Sequence, residues 1–346
     1  MADQLPLVSI VCPAYHEEEM LPLFHRELYR VLAPLEAQYR FEILYVDDGS
    51  RDRTLDAMKS AADSHRRVRV LALSRNFGKE AALQAGLEHA EGELVITMDT
   101  DLQHPPEVIG QLLEKASEPV DLVITVRQEY QNPNWFNQLG TQTFYRIMRA
   151  LSEVEIRQET SDFLLMKRKV VTVLLQMPEK HRFLKGLVHW MGFKYAEVPF
   201  RPKERPLGQT KFSFVRLTSL AKDCLFSFSK KPLTLATKCG TLTLLVGLAW
   251  ALAALAQMLF QIGETSLTAH YLIVSSHVLA GAILLSIGIL GEYVGRIWEQ
   301  VRSRPSYLLK YDSHQADGRG EAYRPPHIKV FETAGEDAAR KDQQSA

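Results

Sequence analysis

The chain has 346 residues, as many Lys and Arg as Asp and Glu (41 of each), and 46% hydrophobic residues, which gives room for one large domain with an appendage. A formal net charge of zero and the lack of a basic, aromatic-laced stretch argue against a nucleic-acid partner. The cysteines, Cys12, Cys224 and Cys239, stand far apart with no metal-ligand spacing, which argues against a disulfide framework and fits a reducing compartment.

From the amino terminus, the apolar run at 7–12 is too short for a secretory leader and reads as a first strand. Strands are predicted at residues 8–12, 41–47, 68–73, 93–98 and 122–126, and helices at 18–35, 53–64, 79–89 and 106–116. Such alternation means βαβ units and a mostly parallel sheet, an α/β class. Each strand runs into polar or Gly-rich residues, so the loops after the strands gather at one sheet edge as a binding rim. Further on, a helix is expected at 136–151, a strand at 163–166, a short helix at 170–176 and a last strand at 195–200.

A Pro- and Arg-rich loop, 201–211, closes a domain spanning 1–211. Residues 212–231 interleave apolar and basic side chains, as in a helix lying in the headgroup plane. The runs 239–263 and 265–291 carry no Asp, Glu, Lys or Arg, and each exceeds the ~20 residues that cross a bilayer. Residues 232–303 thus read as a two-helix transmembrane hairpin. Lys230, Lys231 and Lys238 before the first run and Arg296, Arg302 and Arg304 after the second place both ends of the hairpin in the cytoplasm by the positive-inside rule. Residues 304–346 read as a polar cytoplasmic tail at the surface.

Four groups of residues carry chemistry. Asp99 and Asp101 end the fourth strand one residue apart, with Gln103 after them. Paired hard oxygens suit Mg²⁺ or Mn²⁺, and so a diphosphate, although an Asp pair also caps helices. Asp47-Asp48-Gly49-Ser50 joins acids that accept hydrogen bonds from a base or ribose to a tight turn. Arg75 and Lys79 flank Gly78, where a phosphate can approach closely. Arg201, Arg205 and Lys211 cluster around Gly208, suited to a lipid phosphate arriving from the membrane side.

Together these motifs resemble glycosyltransferase family 2 and its GT-A nucleotide-sugar-binding fold. Pro13-Ala14-Tyr15-His16-Glu17 resembles that family's Pro-x-Tyr-Asn-Glu signature, with His16 in place of Asn. Val46-Asp47-Asp48-Gly49-Ser50 and Asp99-x-Asp101 match it outright. Arg75-Asn76-Phe77-Gly78-Lys79, Asp101-Leu102-Gln103-His104-Pro105-Pro106 and Gly208-x-Thr210-Lys211 are similar to the polyprenyl-phosphate glycosyltransferases, and the hairpin to their bactoprenol glucosyltransferase branch. The resemblance implies that Pro13, Tyr15, Glu17 and Asp48 line the nucleotide, helped by Arg75, Gly78 and Lys79. Asp99 would contact ribose or metal, while Asp101 and Gln103 hold Mg²⁺ or Mn²⁺. Ser161-Asp162-Phe163 matches the family's acid before an aromatic, which makes Asp162 the base or orienting group beside Asp101 and Arg205. The implied partners are a nucleotide-sugar donor, with UDP-glucose the expected one and GDP-mannose, UDP-N-acetylglucosamine and a UDP-aminoarabinose derivative open, and a polyprenyl phosphate such as undecaprenyl phosphate. The implied location is the inner, plasma membrane as a multi-pass protein with a cytoplasmic catalytic domain. A homo-oligomer such as a tetramer stays open.

Overall fold

The computed structural model describes residues 5–128, 160–179, 183–203, 231–260 and 265–316. At its centre is β1 (Leu7–Ala14), buried from Val8 onward as a strand must be when helices cover both faces of a parallel sheet. β2 (Arg40–Asp47) pairs parallel on one side of β1 and is followed by β3 (Val68–Leu73). The chain then crosses back, and β4 (Leu94–Thr97) pairs parallel on the other side of β1. That reversal opens a crevice at the carboxyl ends of β1 and β4, where open α/β sheets take their ligands.

Beyond β4 the sheet turns mixed. β6 (Thr160–Lys167) runs antiparallel between β4 and β5 (Leu122–Arg127), and β7 (Tyr195–Phe200) lies parallel to β5. The order of the described strands is β7-β5-β6-β4-β1-β2-β3-β8, the last being Leu309–Asp312. The start of β6 therefore meets the same edge as the ends of β1 to β5 and β7.

The helices carry the apolar face that covers this sheet. α1 (Met20–Leu32) buries Leu21, Phe24, Leu28 and Leu32 along one stripe. Each such side chain contributes roughly 1.5–3 kcal/mol on burial. The predicted helix 18–35 stops at Leu32 and gives way to a 3₁₀ turn, Ala33–Ala37, because Pro34 supplies no backbone N–H to continue the ladder. α2 (Thr54–Ser64) and α4 (Val108–Ala116) begin one or two residues inside their predicted starts. α3 (Lys79–His89) runs where the spacing placed it and packs unusually close to β1. A Cβ on Gly86 would stand 2.3 Å from Val11 Cγ1. This close approach sets the amino end of α3, Gly78-Lys79, against the crevice. α5 (Arg168–Gln176) extends the predicted 170–176 helix, and α6 (Leu184–Trp190) was not foreseen, its seven residues holding a glycine and too few turns for a period.

The polar tail is not wholly a surface segment. Leu309–Asp312 forms β8, antiparallel to β3, and Tyr307 beside it is fully buried. Arg69 makes two hydrogen bonds to Asp312, at 2.8 and 3.2 Å, with the side chains 12% and 2% exposed. Sequence patterning missed this because a four-residue edge strand, Leu-Lys-Tyr-Asp, has no alternation long enough to read.

By its contacts the chain divides into two units, one of residues 1–130, 159–209 and 303–346, the other of 131–158 and 210–302. In the second unit, α7 (Lys231–Phe260) and α8 (Thr265–Val301) are long and apolar. Among the described residues one segment is long and apolar enough to cross a membrane, Val278–Val301, and the Ala236–Ala249 stretch of α7 is shorter. Two spans were expected, so the paired hairpin is not borne out at this level. The predicted helix at 136–151, residues 212–230 of the predicted 212–231 helix and most of the 201–211 loop lie outside the described residues.

Candidate active site

The loops after β1 and β2 interlock at the crevice. Pro13 is the buried penultimate residue of β1, and Tyr15 just beyond it stacks on His16 with ring centroids 4.0 Å apart. His16 takes a left-handed backbone, φ 55°. Its N–H donates to Ser50 Oγ at 3.0 Å, and its Nε2 accepts from the Arg51 N–H at 3.2 Å. The residue that departs from the usual Asn thus ties the first loop to the second. The Glu17 N–H donates to Thr54 Oγ1 at 2.8 Å, pinning the same loop to α2.

Asp48 faces the third loop. Its Oδ1 accepts from the Phe77 N–H at 2.8 Å, and its Oδ2 from the Gly78 N–H at 3.0 Å. Burial raises its pKa, and these two bonds only partly counter the shift. Gly49 permits the approach: its φ is 67°, and a Cβ there would come within 2.2 Å of the Arg75 carbonyl carbon. Arg75 itself is exposed and lies over the Phe77 ring at 4.2 Å.

Lys79, expected to meet phosphate, instead bridges two carboxylates. Its Nζ is 2.7 Å from Asp99 Oδ1 and 2.9 Å from Asp162 Oδ2, with the three side chains 39%, 28% and 17% exposed. Lys185 Nζ stands 3.8 Å from Asp162 Oδ1. Burial alone would lower the pKa of Lys79, but Asp162 and Asp99 override it and hold the ammonium charged well above its usual range. The same contest depresses both acids. Burial pushes Asp162 up, and Lys185 and Lys79 pull it well below the ordinary carboxylate range; Asp99 is pulled down by Lys79.

Asp101 lies on the same loop, and its Oδ1 accepts from the Gln103 N–H at 3.0 Å across Leu102, whose φ is 59°. This tight turn holds the Asp101 carboxylate against the Gln103 backbone. Mg²⁺ is commonly held by one or two carboxylates together with substrate phosphates and water rather than by a dedicated cage. Asp101 and Gln103 offer hard oxygens of that kind, and among the described residues no group of three His, Cys, Asp or Glu forms a closed site. The donor set fits a Mg²⁺ or Mn²⁺ shared with a diphosphate.

Two further residues at this edge escaped sequence reasoning. Arg127 ends β5 opposite the start of β6, and its Nε is buried with no hydrogen-bond partner among the described residues; the same holds for Thr160 Oγ1. A basic residue closing an apolar strand was the available signal. His104 is buried between Asp99 and Ser161, accepting from the Asp99 N–H at 3.0 Å and lying 2.7 Å from Ser161 Oγ. Burial lowers its pKa to about 4, Asp99 countering only in part. Arg201 follows β7 at the same edge and is exposed, whereas Arg205 and Lys211 lie outside the described residues. The rim therefore unites Asp48, Gly78, Lys79, Asp99, Asp101, Gln103, Asp162 and Arg127.

Comparison with known proteins gives the family. The family model "Glycosyl transferase family 2" matches residues 9–175. An uncharacterized glycosyltransferase of Synechocystis is 41% identical over 87% of this chain and 94% of its own length. A prophage-derived bactoprenol glucosyl transferase of Shigella flexneri is 36% identical over 90% of this chain and 99% of its own. Among solved structures, glucosyl-3-phosphoglycerate synthase from Mycobacterium tuberculosis, in complex with Mn²⁺, UDP and glucosyl-3-phosphoglycerate, is similar at 18% identity and a TM-score of 0.43, over 65% of this chain and 79% of its own. With its α/β fold, mostly parallel sheet and acid-lined rim, the chain belongs to glycosyl transferase family 2.

Proposed function

We propose that the chain transfers glucose from UDP-glucose to a polyprenyl phosphate, inverting the anomeric centre, at the cytoplasmic face of the plasma membrane. One observation carries this reading: Lys79 links Asp99, on the loop of the paired carboxylates, to Asp162 at the start of β6. A donor diphosphate and an acceptor phosphate would meet at that junction. The names of the bactoprenol glucosyl transferase relatives support the acceptor and the sugar. The apolar stretch Val278–Val301 supports a membrane location, and the uncharged run at 239–263 is the proposed second span of a multi-pass hairpin.

In this mechanism an oxygen of the acceptor phosphate forms the new bond to C1 of the sugar. The bond from C1 to the β-phosphate oxygen breaks on the opposite face, and the nucleoside diphosphate leaves with that electron pair. Asp101 and Gln103 would hold a divalent cation, which would supply charge neutralisation for the leaving diphosphate. Asp48 keeps the β3–α3 loop closed under the nucleotide, with Pro13, Tyr15 and Glu17 lining it. Arg127, Arg201, Arg205 and Lys211 bind and orient the acceptor phosphate. A phosphate monoester with a second pKa near ~6 is already ionised at neutral pH and needs no strong base. Asp162, its charge held by two lysines, is a poor proton acceptor and acts by orienting the acceptor.

The test is the purified full chain in detergent with undecaprenyl phosphate and a panel of nucleotide sugars. The expected result is sugar label in the lipid extract from UDP-glucose. Label from another donor alone would correct the sugar, and no lipid label from any donor would overturn the acceptor.

A further inference from the structure

The ladder between β4 and β6 ends where the site begins. Its last pair is Thr97 with Leu164, so Met98 to Asp101 and Ser161 to Phe163 face each other without backbone pairing. Side chains must fix that gap. Thr97 Oγ1 donates to the Asp162 carbonyl at 2.6 Å, Lys79 bridges Asp99 and Asp162, and His104 makes the third tie.

His104 is 1% exposed. The backbone N–H of Asp99 can only donate, so Nδ1, which receives it at 3.0 Å, carries no proton. The proton is therefore on Nε2, which donates to Ser161 Oγ at 2.7 Å. The ring stacks on Phe163 at 5.2 Å and 27° and meets Phe200 edge-on at 6.0 Å. Both nitrogens are engaged and Phe163 covers one face, so the ring is a spacer with one polar end on each side of the gap.

We propose that His104 is a positioning residue of the transfer site, setting the Asp99–Asp101 loop against Ser161 and Asp162 through its two hydrogen bonds. What those carboxylates do rests on the function proposed above; the positioning itself does not. An aromatic ring without nitrogens would fill the same space against Phe163, so packing alone does not explain an imidazole here.

The test uses the full chain in detergent and two readouts: amide hydrogen exchange of the peptide containing Asp99, and the Mn²⁺ midpoint for UDP binding. His104→Phe keeps the stacked ring and removes both bonds. It should speed exchange at Asp99 at least about tenfold and raise the Mn²⁺ midpoint about tenfold, as loss of an outer-shell partner does. His104→Asn, whose amide oxygen can accept from the Asp99 N–H, should restore much of both. Ser161→Ala should lower kcat and leave the Mn²⁺ midpoint in place. Wild-type exchange and midpoint in His104→Phe would overturn the proposal, as would an Asn variant no better than Phe. Should UDP bind the wild type without any Mn²⁺ dependence, the metal reading fails, and the exchange rates still decide the role of His104.

Discussion

Lys79 reaches from the first residue of α3 to Asp162 on β6, Nζ to Oδ2 at 2.9 Å, and so joins two elements 83 positions apart in sequence. The contact neutralises an acid that would otherwise repel Asp99. It also makes Asp162 a fixed anion rather than a titrating base.

Lys79→Met should therefore lower kcat by roughly 10²-fold, the scale of losing one preorganised electrostatic contact. Its pH profile should change in a defined direction. Removing the cation raises the pKa of both carboxylates, so the acid limb of kcat moves to higher pH. Lys79→Arg should retain part of the activity and the wild-type limb. A Met variant with an unmoved acid limb would separate Lys79 from the ionisation of Asp162.

Stability should fall on mild acidification. Burial, aided by His65, lowers the pKa of His25 to about 4, and burial does the same to His104. In the unfolded chain each takes up its proton near ~6.5. Between those values these two histidines bind more protons in the unfolded state and favour the fold as pH rises, by at most about 1.4 kcal/mol per pH unit each, while Glu80, whose pKa burial raises to about 8, offsets one of them. The thermal midpoint should drop from pH 7 to 5, and His25→Phe should flatten that slope. Asp99, Asp162 and Asp312, with lowered pKa values, add their loss only at lower pH still.

The segment after the apolar helices should be needed for the fold. Asp312→Ala leaves Arg69 buried without its bidentate partner, and breaking a buried pair costs about 3–5 kcal/mol. Thermal unfolding of the variant checks this. A midpoint equal to wild type would mean that β8 is dispensable.

Much of this site was legible before any coordinates. The strands β1 to β4 are largely apolar runs, with Asp47-Asp48 closing β2 and Asp99 and Asp101 following β4, so both the sheet and its acidic edge follow from local pattern. Positions that depend on long-range meeting were not legible. Nothing local tells that Lys79 will find Asp99 and Asp162 rather than phosphate, or that Arg127 will bury its Nε. His104 stood in a quoted motif without a role, because its partners, the Asp99 amide and Ser161, become neighbours only when β6 inserts beside β4. β8 was hidden by its brevity. The acceptor-side residues Arg205 and Lys211 lie outside the described residues, and their role belongs to the proposal.

The central claim is that a cation on Asp101 and Gln103 carries the leaving diphosphate. It is tested most directly by transfer of sugar to undecaprenyl phosphate, with Mn²⁺ and with excess chelator, by the wild type and Asp101→Ala. The variant loses one turn hydrogen bond, about 1 kcal/mol, and should stay folded. The account predicts transfer by the wild type only with metal, and none by Asp101→Ala at any metal concentration. Full-rate transfer in chelator, or near-normal turnover by Asp101→Ala, would contradict it.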